Sequence, residues 1–344
     1  RFNIFLDTGS SNVAVKRSQW NPDSSSSSSS VLFDSPECKV CDSDGRTTAC
    51  QWGNPFPARL NASVCGYGVD YGGTRNMMGG SLVSDSVTFA GFTVQQEVFS
   101  VDEMFPAEQP FDGIVGLALE GAASNPTYTP TLFRNVKTEN PGISAVFGLC
   151  LTQNGGMLDF GWLNESKISE PFQFVNVSHD VYWNMAVQDF AVGSQSVGLP
   201  SFTYHRNVDS VGSFTDSGTS ILILGPVIYD SFQTLFQTSF CNLPSVCGNE
   251  TIFNGACIAD EVMQGAISSF PSLNVTVTLI DGSPAYLEVA PDAYMLKGDN
   301  GWCLGVISGA GVGVVLGTPI YTSGYYIAHD IDNGRVGFAR TTSC

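Results

Sequence analysis

Two segments of this 344-residue sequence are alike, Ile4-Phe-Leu-Asp7-Thr-Gly-Ser10 and Ser213-Phe-Thr-Asp216-Ser-Gly-Thr219. Each has the pattern of a short strand that leads into an Asp-[Thr/Ser]-Gly-[Ser/Thr] turn. Each is followed later in the chain by an apolar pair and a glycine, in Phe111-Asp-Gly-Ile-Val-Gly116 and Val314-Val-Leu-Gly317. Repetition of the same pair of motifs predicts a duplicated lobe.

The repeated turn places one carboxylate in each half of the chain. A single Asp-Thr-Gly is most often an ordinary turn cap, but two copies in matching halves favour a shared function. The hydroxyl of Ser10 or Thr219 can donate to the carboxylate of Asp7 or Asp216 and orient it. If the two lobes pack face to face, the carboxylates meet and share one proton at acid pH. Such a pair can act as general acid and general base in hydrolysis.

The overall composition is that of a folded, acidic protein. Hydrophobic residues make up 43% and charged residues 13% of the chain, which is incompatible with wholesale disorder. The chain has 32 acidic and 14 basic residues, a net charge of −18. This charge repels nucleic acid and is partly neutralised in acidic surroundings. We expect a mainly β protein with few helices, with strands over 87–94 and 273–280 and a helix over 226–236.

Cysteines and glycosylation sequons indicate a secretory route. The chain has ten cysteines, an even number. It also has five N-x-[Ser/Thr] sequons, at Asn61, Asn164, Asn176, Asn249 and Asn274. We therefore expect a secreted protein or one of the endolysosomal or vacuolar lumen. No apolar run reaches about 18 residues, so any membrane anchor lies outside this segment. Because the chain opens within an apparent strand at Arg1, we expect a segment upstream.

Four ordered motifs identify a family resemblance. They are Asp7-Thr-Gly-Ser-Ser-Asn12, Phe111-Asp-Gly-Ile-Val-Gly-Leu117, Asp216-Ser-Gly-Thr-Ser220 and the segment from Gly324 to Phe338. Together they resemble the pepsin-like (family A1) aspartic proteases over essentially the whole chain. The resemblance implies a mainly β, bilobal fold, in which two related β lobes flank a cleft covered by a flap hairpin. It implies an N-terminal lobe over 1–163 and a C-terminal lobe over 164–344.

The resemblance also assigns roles to residues. The implied catalytic pair is Asp7 and Asp216. The implied supporting residues are Thr8, Gly9, Ser10, Ser217, Gly218 and Thr219. Tyr71, Gly72 and Gly73 match the substrate-binding flap, in a hairpin near 67–80, and Tyr67 is the less favoured flap tyrosine. Ile223 falls where the β-secretases have an arginine, which predicts an apolar substrate pocket.

Two features depart from the common pattern of the family. Many members have a tryptophan at the position of Ala14, whereas the β-secretases, like this chain, have alanine. Trp20 or Trp52 is therefore expected to support the flap. Residues 31–65 resemble the cysteine-rich insertion of nepenthesin-type enzymes. Its cysteines are Cys38, Cys41, Cys50 and Cys65, for which we expect two disulfides rather than a metal site, with the pairing left open.

The remaining cysteines are paired by resemblance. The β-secretase-like enzymes join the positions of Cys150 and Cys344, and Cys257 with Cys303 matches a C-lobe bridge of the family. Cys241 and Cys247 then remain and are expected to pair.

The predicted function is an aspartic endopeptidase that works at acid pH, without metal or cofactor, and prefers apolar residues at the scissile bond. The expected partners are polypeptide substrates and pepstatin-type inhibitors, and the protein is expected to be a monomer that does not bind nucleic acid. The alternative is a catalytically inactive pepsin-like binding or inhibitor protein. A glycosidase or a serine-protease triad fits the duplicated motif poorly.

Overall fold

The structure is a computed structural model. It describes residues 1–20, 28–30, 66–71, 76–105, 110–122, 130–341 and 343–344. The chain forms two compact units. The first comprises Arg1–Ser144 with Asp180–Tyr182, and the second comprises Ala145–His179 with Trp183–Cys344.

The first unit is built around one sheet. Its described strands are β1 (Ile4–Asp7), β2 (Val13–Lys16), β3 (Ser29–Ser30), β4 (Gly66–Tyr71), β5 (Asn76–Phe89), β6 (Phe92–Phe105) and β7 (Gly113–Gly116). They pair in the order β1-β7-β2-β6-β5-β3, and β4 also pairs with β5. The described helices are a 3-10 turn, Glu120–Ala122, and α1 (Leu132–Glu139). Ala14, Leu82, Phe99 and Ile114 lie in its buried apolar core.

The second unit contains several smaller sheets. Its described strands are β8 (Val146–Thr152), β9 (Gly155–Phe160), β10 (Gln173–Asn176), β11 (Asn184–Met185), β12 (Val187–Val192), β13 (Gln195–Ser196), β14 (Ser213–Thr215), β15 (Leu222–Leu224), β16 (Leu273–Thr278), β17 (Pro284–Val289), β18 (Met295–Gly298), β19 (Gly301–Leu304), β20 (Val306–Ser308), β21 (Val314–Leu316), β22 (Tyr325–Asp330) and β23 (Arg335–Arg340). They pair in the orders β10-β23-β22-β8-β9, β11-β14-β21-β15-β20, β13-β12-β16-β17 and β18-β19.

Helices of the second unit are short, and α2 is the longest of those described. The α-helices are α2 (Pro226–Ser239), α3 (Asp260–Ala266), α4 (Pro291–Tyr294) and α5 (Thr318–Thr322). The 3-10 helices are Glu165–Lys167, Ser201–Tyr204, Ile252–Asn254 and Ile267–Ser269.

The same strand pattern occurs once in each unit. In the first unit β1 is parallel to β7, β7 is antiparallel to β2, and β2 is parallel to β6. In the second unit β14, β21, β15 and β20 follow the same sequence of parallel, antiparallel and parallel pairs. In both units the Asp turn connects the first strand to the third strand of this order. The predicted mainly β fold of two related parts is therefore confirmed.

The predicted helix over 226–236 is confirmed by α2, which begins with Pro226 in its first turn. Ile228, Phe232 and Phe236 are buried on one side of α2. The ring of Phe232 meets that of Phe190 edge to face, with centroids 5.9 Å apart. This apolar stripe, rather than helix propensity, secures the helix against the β12 sheet.

One strand prediction was wrong. Residues 87–94 form a hairpin between the end of β5 and the start of β6, not a single strand. Ala90 and Gly91 make its turn with positive φ angles of 51° and 87°, which break an extended strand. The predicted strand over 273–280 is present as β16, which ends at Thr278.

The lobe boundary at residues 163 and 164 stays a prediction. Strands β8 and β9 pair in one sheet with β22, β23 and β10, so residues 146–160 group with the C-terminal part of the chain.

Candidate active site

Asp7 is held by the turn that follows it. It ends β1 and is only 6% exposed. Its Oδ1 accepts a hydrogen bond of 2.8 Å from the Gly9 backbone N–H. The hydroxyl of Ser10 donates to Oδ2. With a donor on each oxygen, the plane of the carboxylate is fixed by residues two and three positions away.

Asp216 has the same surroundings in the second unit. It directly follows β14 and is 9% exposed. Its Oδ1 accepts a hydrogen bond of 2.8 Å from the Gly218 N–H, and Oδ2 accepts one of 2.6 Å from the Thr219 hydroxyl. Each unit therefore presents one buried, oriented carboxylate in the same local geometry.

Two further predicted supporting residues are buried beside these carboxylates. Thr8 is fully buried and Ser217 is 6% exposed. The sequence-predicted supporting residues thus lie in the two turns, three with Asp7 and three with Asp216.

A glycine-ended strand passes close behind each Asp turn. A Cβ atom on Gly116 would lie 2.5 Å from both the Asn12 nitrogen and the Ser10 carbonyl oxygen. A Cβ atom on Gly317 would lie 2.0 Å from the Ile221 carbonyl oxygen. Only glycine allows so close an approach of two backbones. The apolar-apolar-Gly motif that marked the repeat is therefore the packing partner of the Asp turn.

Residues directly after these glycines donate hydrogen bonds to the Asp turns. The sequence did not predict these bonds. Leu117 N–H donates to the Asp7 carbonyl oxygen at 2.7 Å. In the second unit Thr318 uses its N–H (2.6 Å) and its hydroxyl (3.1 Å) to bond the Thr219 carbonyl oxygen. Their position directly after the repeated glycine was the available signal.

Ile223 lies at the centre of β15, where it pairs with Ile307 on one side and Val315 on the other. Its Cγ2 would be 2.3 Å from a Cβ atom on Gly309, so the isoleucine side chain occupies the space that this glycine leaves. Ile307 is 42% exposed. Ile223 therefore has aliphatic neighbours on both adjoining strands, and its role in an apolar substrate pocket stays a prediction.

The predicted flap falls partly within the described residues. β4 and β5 pair antiparallel, with Tyr71 opposite Asn76. Gly72, Gly73 and Trp52 lie outside the described residues. Ala14 is buried on β2, and half-buried Trp20 donates its backbone N–H to the Lys16 carbonyl oxygen. The roles of Tyr71 and Trp20 stay predictions.

Comparison with known proteins identifies the family to which this chain belongs. Residues 1–341 match the family model described as eukaryotic aspartyl protease. The chain belongs to this family. It is 26% identical to cathepsin D of Dictyostelium discoideum over 98% of this chain and 79% of the relative. It is 25% identical to pepsin A of Callithrix jacchus and 23% to gastricsin of Mus musculus, in both cases over 98% of this chain and 77% of the relative.

Disulfides join the two cysteine pairs that the resemblance implied and the pair that was expected to remain. Cys150 is bonded to Cys344, across a sequence separation of 194 residues, and ties β8 to the end of the described chain. Cys257 is bonded to Cys303, and Cys241 to Cys247. The four cysteines of 31–65 lie outside the described residues, and their pairing stays open.

Within the described ranges of this aspartyl protease chain, no helix is both long enough and apolar enough to cross a membrane.

Proposed function

We propose that this member of the aspartyl protease family is an endopeptidase that hydrolyses peptide bonds at acid pH with Asp7 and Asp216 as a catalytic dyad. The observation that carries the proposal is the identical hydrogen bonding of the two carboxylates. Each has a glycine N–H on Oδ1 and a hydroxyl on Oδ2. Two carboxylates that are held in the same way are what a general acid and general base pair requires.

In the proposed mechanism the two carboxyl groups share one proton. The ionised one accepts a proton from a bound water, whose oxygen attacks the carbonyl carbon of the substrate. The protonated one donates its proton to the carbonyl oxygen. The first carboxyl group then passes the proton that it took from water to the amide nitrogen, the second takes back the proton of a hydroxyl, and the C–N bond breaks, which restores the singly protonated pair. Because like charges close together cannot both ionise cheaply, the singly protonated pair exists at acid pH.

The proposed substrate preference follows from Ile223. Without a cation at this position, an acidic substrate side chain would be buried without a partner, which costs about 2 kcal/mol or more. A leucine or phenylalanine side chain would instead gain about 1.5–3 kcal/mol from burial. We propose cleavage between large apolar residues of polypeptides, inhibition by pepstatin-type compounds, and action as a monomer in the secretory or endolysosomal lumen.

The deciding experiment compares single carboxylate variants. Denatured globin is incubated at about pH 3–5 with wild type, Asp7→Asn, Asp216→Asn and the control Asp299→Asn, which changes an exposed turn residue. We expect both dyad variants to lose activity, because one carboxylate cannot act as acid and base, and the control to keep it. Thermal unfolding verifies that each variant is folded. Residual activity within about tenfold of wild type in either dyad variant would contradict the dyad.

The same assay tests the alternative, a catalytically inactive binding protein. A folded wild type that cleaves no protein substrate between about pH 3 and pH 7, yet binds pepstatin, would favour this alternative.

Specificity is tested separately with a peptide library. We expect wild type and Ile223→Leu to cleave between apolar residues. Ile223→Arg should increase cleavage beside Asp and Glu, because the guanidinium pairs with their carboxylates. An acidic preference in wild type would refute the assigned position of Ile223.

A further inference from the structure

The five glycosylation sequons are not explained by the proposed peptidase activity, and the structure divides them. Glycans are bulky and polar, so an asparagine that bears one must project its Nδ2 into solvent. Asn164 is half-buried, and Asn61 lies outside the described residues. Asn176, Asn249 and Asn274 differ sharply in their surroundings.

Asn249 lies in an exposed bend after the Cys241–Cys247 disulfide. The residue between it and the sequon threonine, Glu250, is also exposed. Thr251 is 2% exposed, and its hydroxyl has no hydrogen-bond partner among the described residues. The sequon requires the Thr251 hydroxyl, yet this hydroxyl contributes no hydrogen bond to the described part of the fold.

Asn176 is the last residue of β10, a strand at the edge of its sheet. Both Asn176 and the sequon residue Ser178 are exposed. A glycan here would extend from the edge of the sheet without displacing a neighbouring strand.

Asn274 has the opposite surroundings. It lies on β16, between Ala191 of β12 and Glu288 of β17. Its Nδ2 donates a hydrogen bond of 2.7 Å to the carbonyl oxygen of Gly193. A glycan replaces one of the two hydrogens of this nitrogen, so its first sugar would lie beside the Gly193 carbonyl and crowd the turn between β12 and β13.

We propose that the folded protein carries N-linked glycans on Asn176 and Asn249 and none on Asn274. In the reaction the amide Nδ2 loses a proton and forms a bond to C1 of a lipid-diphosphate-linked oligosaccharide, whose C1–O bond breaks with release of the lipid diphosphate. The transfer acts on the extended chain before it folds. The fold then decides which glycosylated chains can reach the native state, and one modified at Asn274 cannot.

The proposal is tested by mapping occupied asparagines. The protein is expressed from its full-length coding sequence in a eukaryotic secretory host, and the folded fraction is deglycosylated by an amidase in heavy-oxygen water. The amidase converts each glycosylated asparagine to a labelled aspartate that peptide mass spectrometry detects. We expect label at 176 and 249 and none at 274. Label at 274 in folded protein, or its absence at 176 or 249, overturns the proposal.

Matched variants separate the sequon from the fold. Thr251→Val replaces an unbonded buried hydroxyl with a methyl group and should lose only the label at Asn249, whereas Thr251→Ser should keep it. Ser178→Ala should lose only the label at Asn176, and Ser178→Thr should keep it. A label that survives in Thr251→Val or Ser178→Ala contradicts the assignment. The Asp7→Asn variant should give the wild-type map, so failure of the proposed peptidase activity is distinguishable from failure of this proposal.

Discussion

The buried imidazole of His329 should weaken the native state as the pH falls. His329 lies on β22 and is completely buried. Its ring stacks on that of Phe147 with centroids 4.4 Å apart and meets the edge of Trp183 at 4.8 Å. Neither ring nitrogen makes a hydrogen bond of normal geometry among the described residues. Burial lowers the pKa of His329 from 6.5 to about 3, and the nearby Ile327 carbonyl offsets the shift only in part.

The sign and size of the effect follow from these two values. In the unfolded chain the imidazole binds a proton below about pH 6.5, whereas in the native state it stays neutral until about pH 3. Protonation therefore favours the unfolded chain, and stability is lost as the pH falls between these limits. Each pH unit in this window costs about 1.4 kcal/mol, so His329 costs about 3 kcal/mol at about pH 4 relative to pH 7.

His329→Phe should remove this loss, because phenylalanine keeps the stacked ring and has no proton to bind. The free energy of unfolding is measured by urea titration at about pH 7 and about pH 4, in the Asp7→Asn background to prevent self-digestion. We expect the advantage of His329→Phe over its parent to be about 3 kcal/mol larger at the lower pH.

His329→Leu is the control for packing. Its free energy of unfolding should change between the two pH values as that of His329→Phe does. At both pH values it should be lower than that of His329→Phe, because the ring contacts with Phe147 and Trp183 are lost. If the difference between His329→Phe and its parent stays constant within about 1 kcal/mol from pH 7 to pH 4, the assignment of a neutral buried imidazole is refuted.

Three further predictions concern stability and are measured by chemical unfolding. Replacing Cys150 and Cys344 by alanine should cost about 2–5 kcal/mol, because their bridge closes a very long loop, and an unchanged midpoint would contradict this. Gly309→Ala should cost about 1–3 kcal/mol by colliding with Ile223, and Ile223→Ala in the same chain should recover part of it; additive losses would exclude the collision. Tyr326→Phe removes a hydroxyl that donates to the buried carboxylate of Asp159 and should cost about 1–3 kcal/mol. No loss of stability would show that water replaces the hydroxyl.

Features that rest on short-range interactions were predictable from the amino-acid sequence. The hydrogen bonds that orient Asp7 and Asp216 come from residues two and three positions later. The donors therefore lie within the four-residue motif itself. The helix α2 was predictable because the positions of Ile228 and Phe232 repeat with the helical period. The duplicated strand pattern was predictable because the two halves repeat the same motifs in the same order.

Features that depend on pairing between distant strands became visible in the folded structure alone. His329 is an unremarkable residue in the sequence, and it is buried against Phe147 because β22 pairs with β8. The sequons at Asn249 and Asn274 are equivalent as patterns, but one lies in an exposed bend and the other in the middle of a sheet. Burial and strand register join residues that are far apart in the chain, and a local pattern contains no information about the partner that the fold will supply.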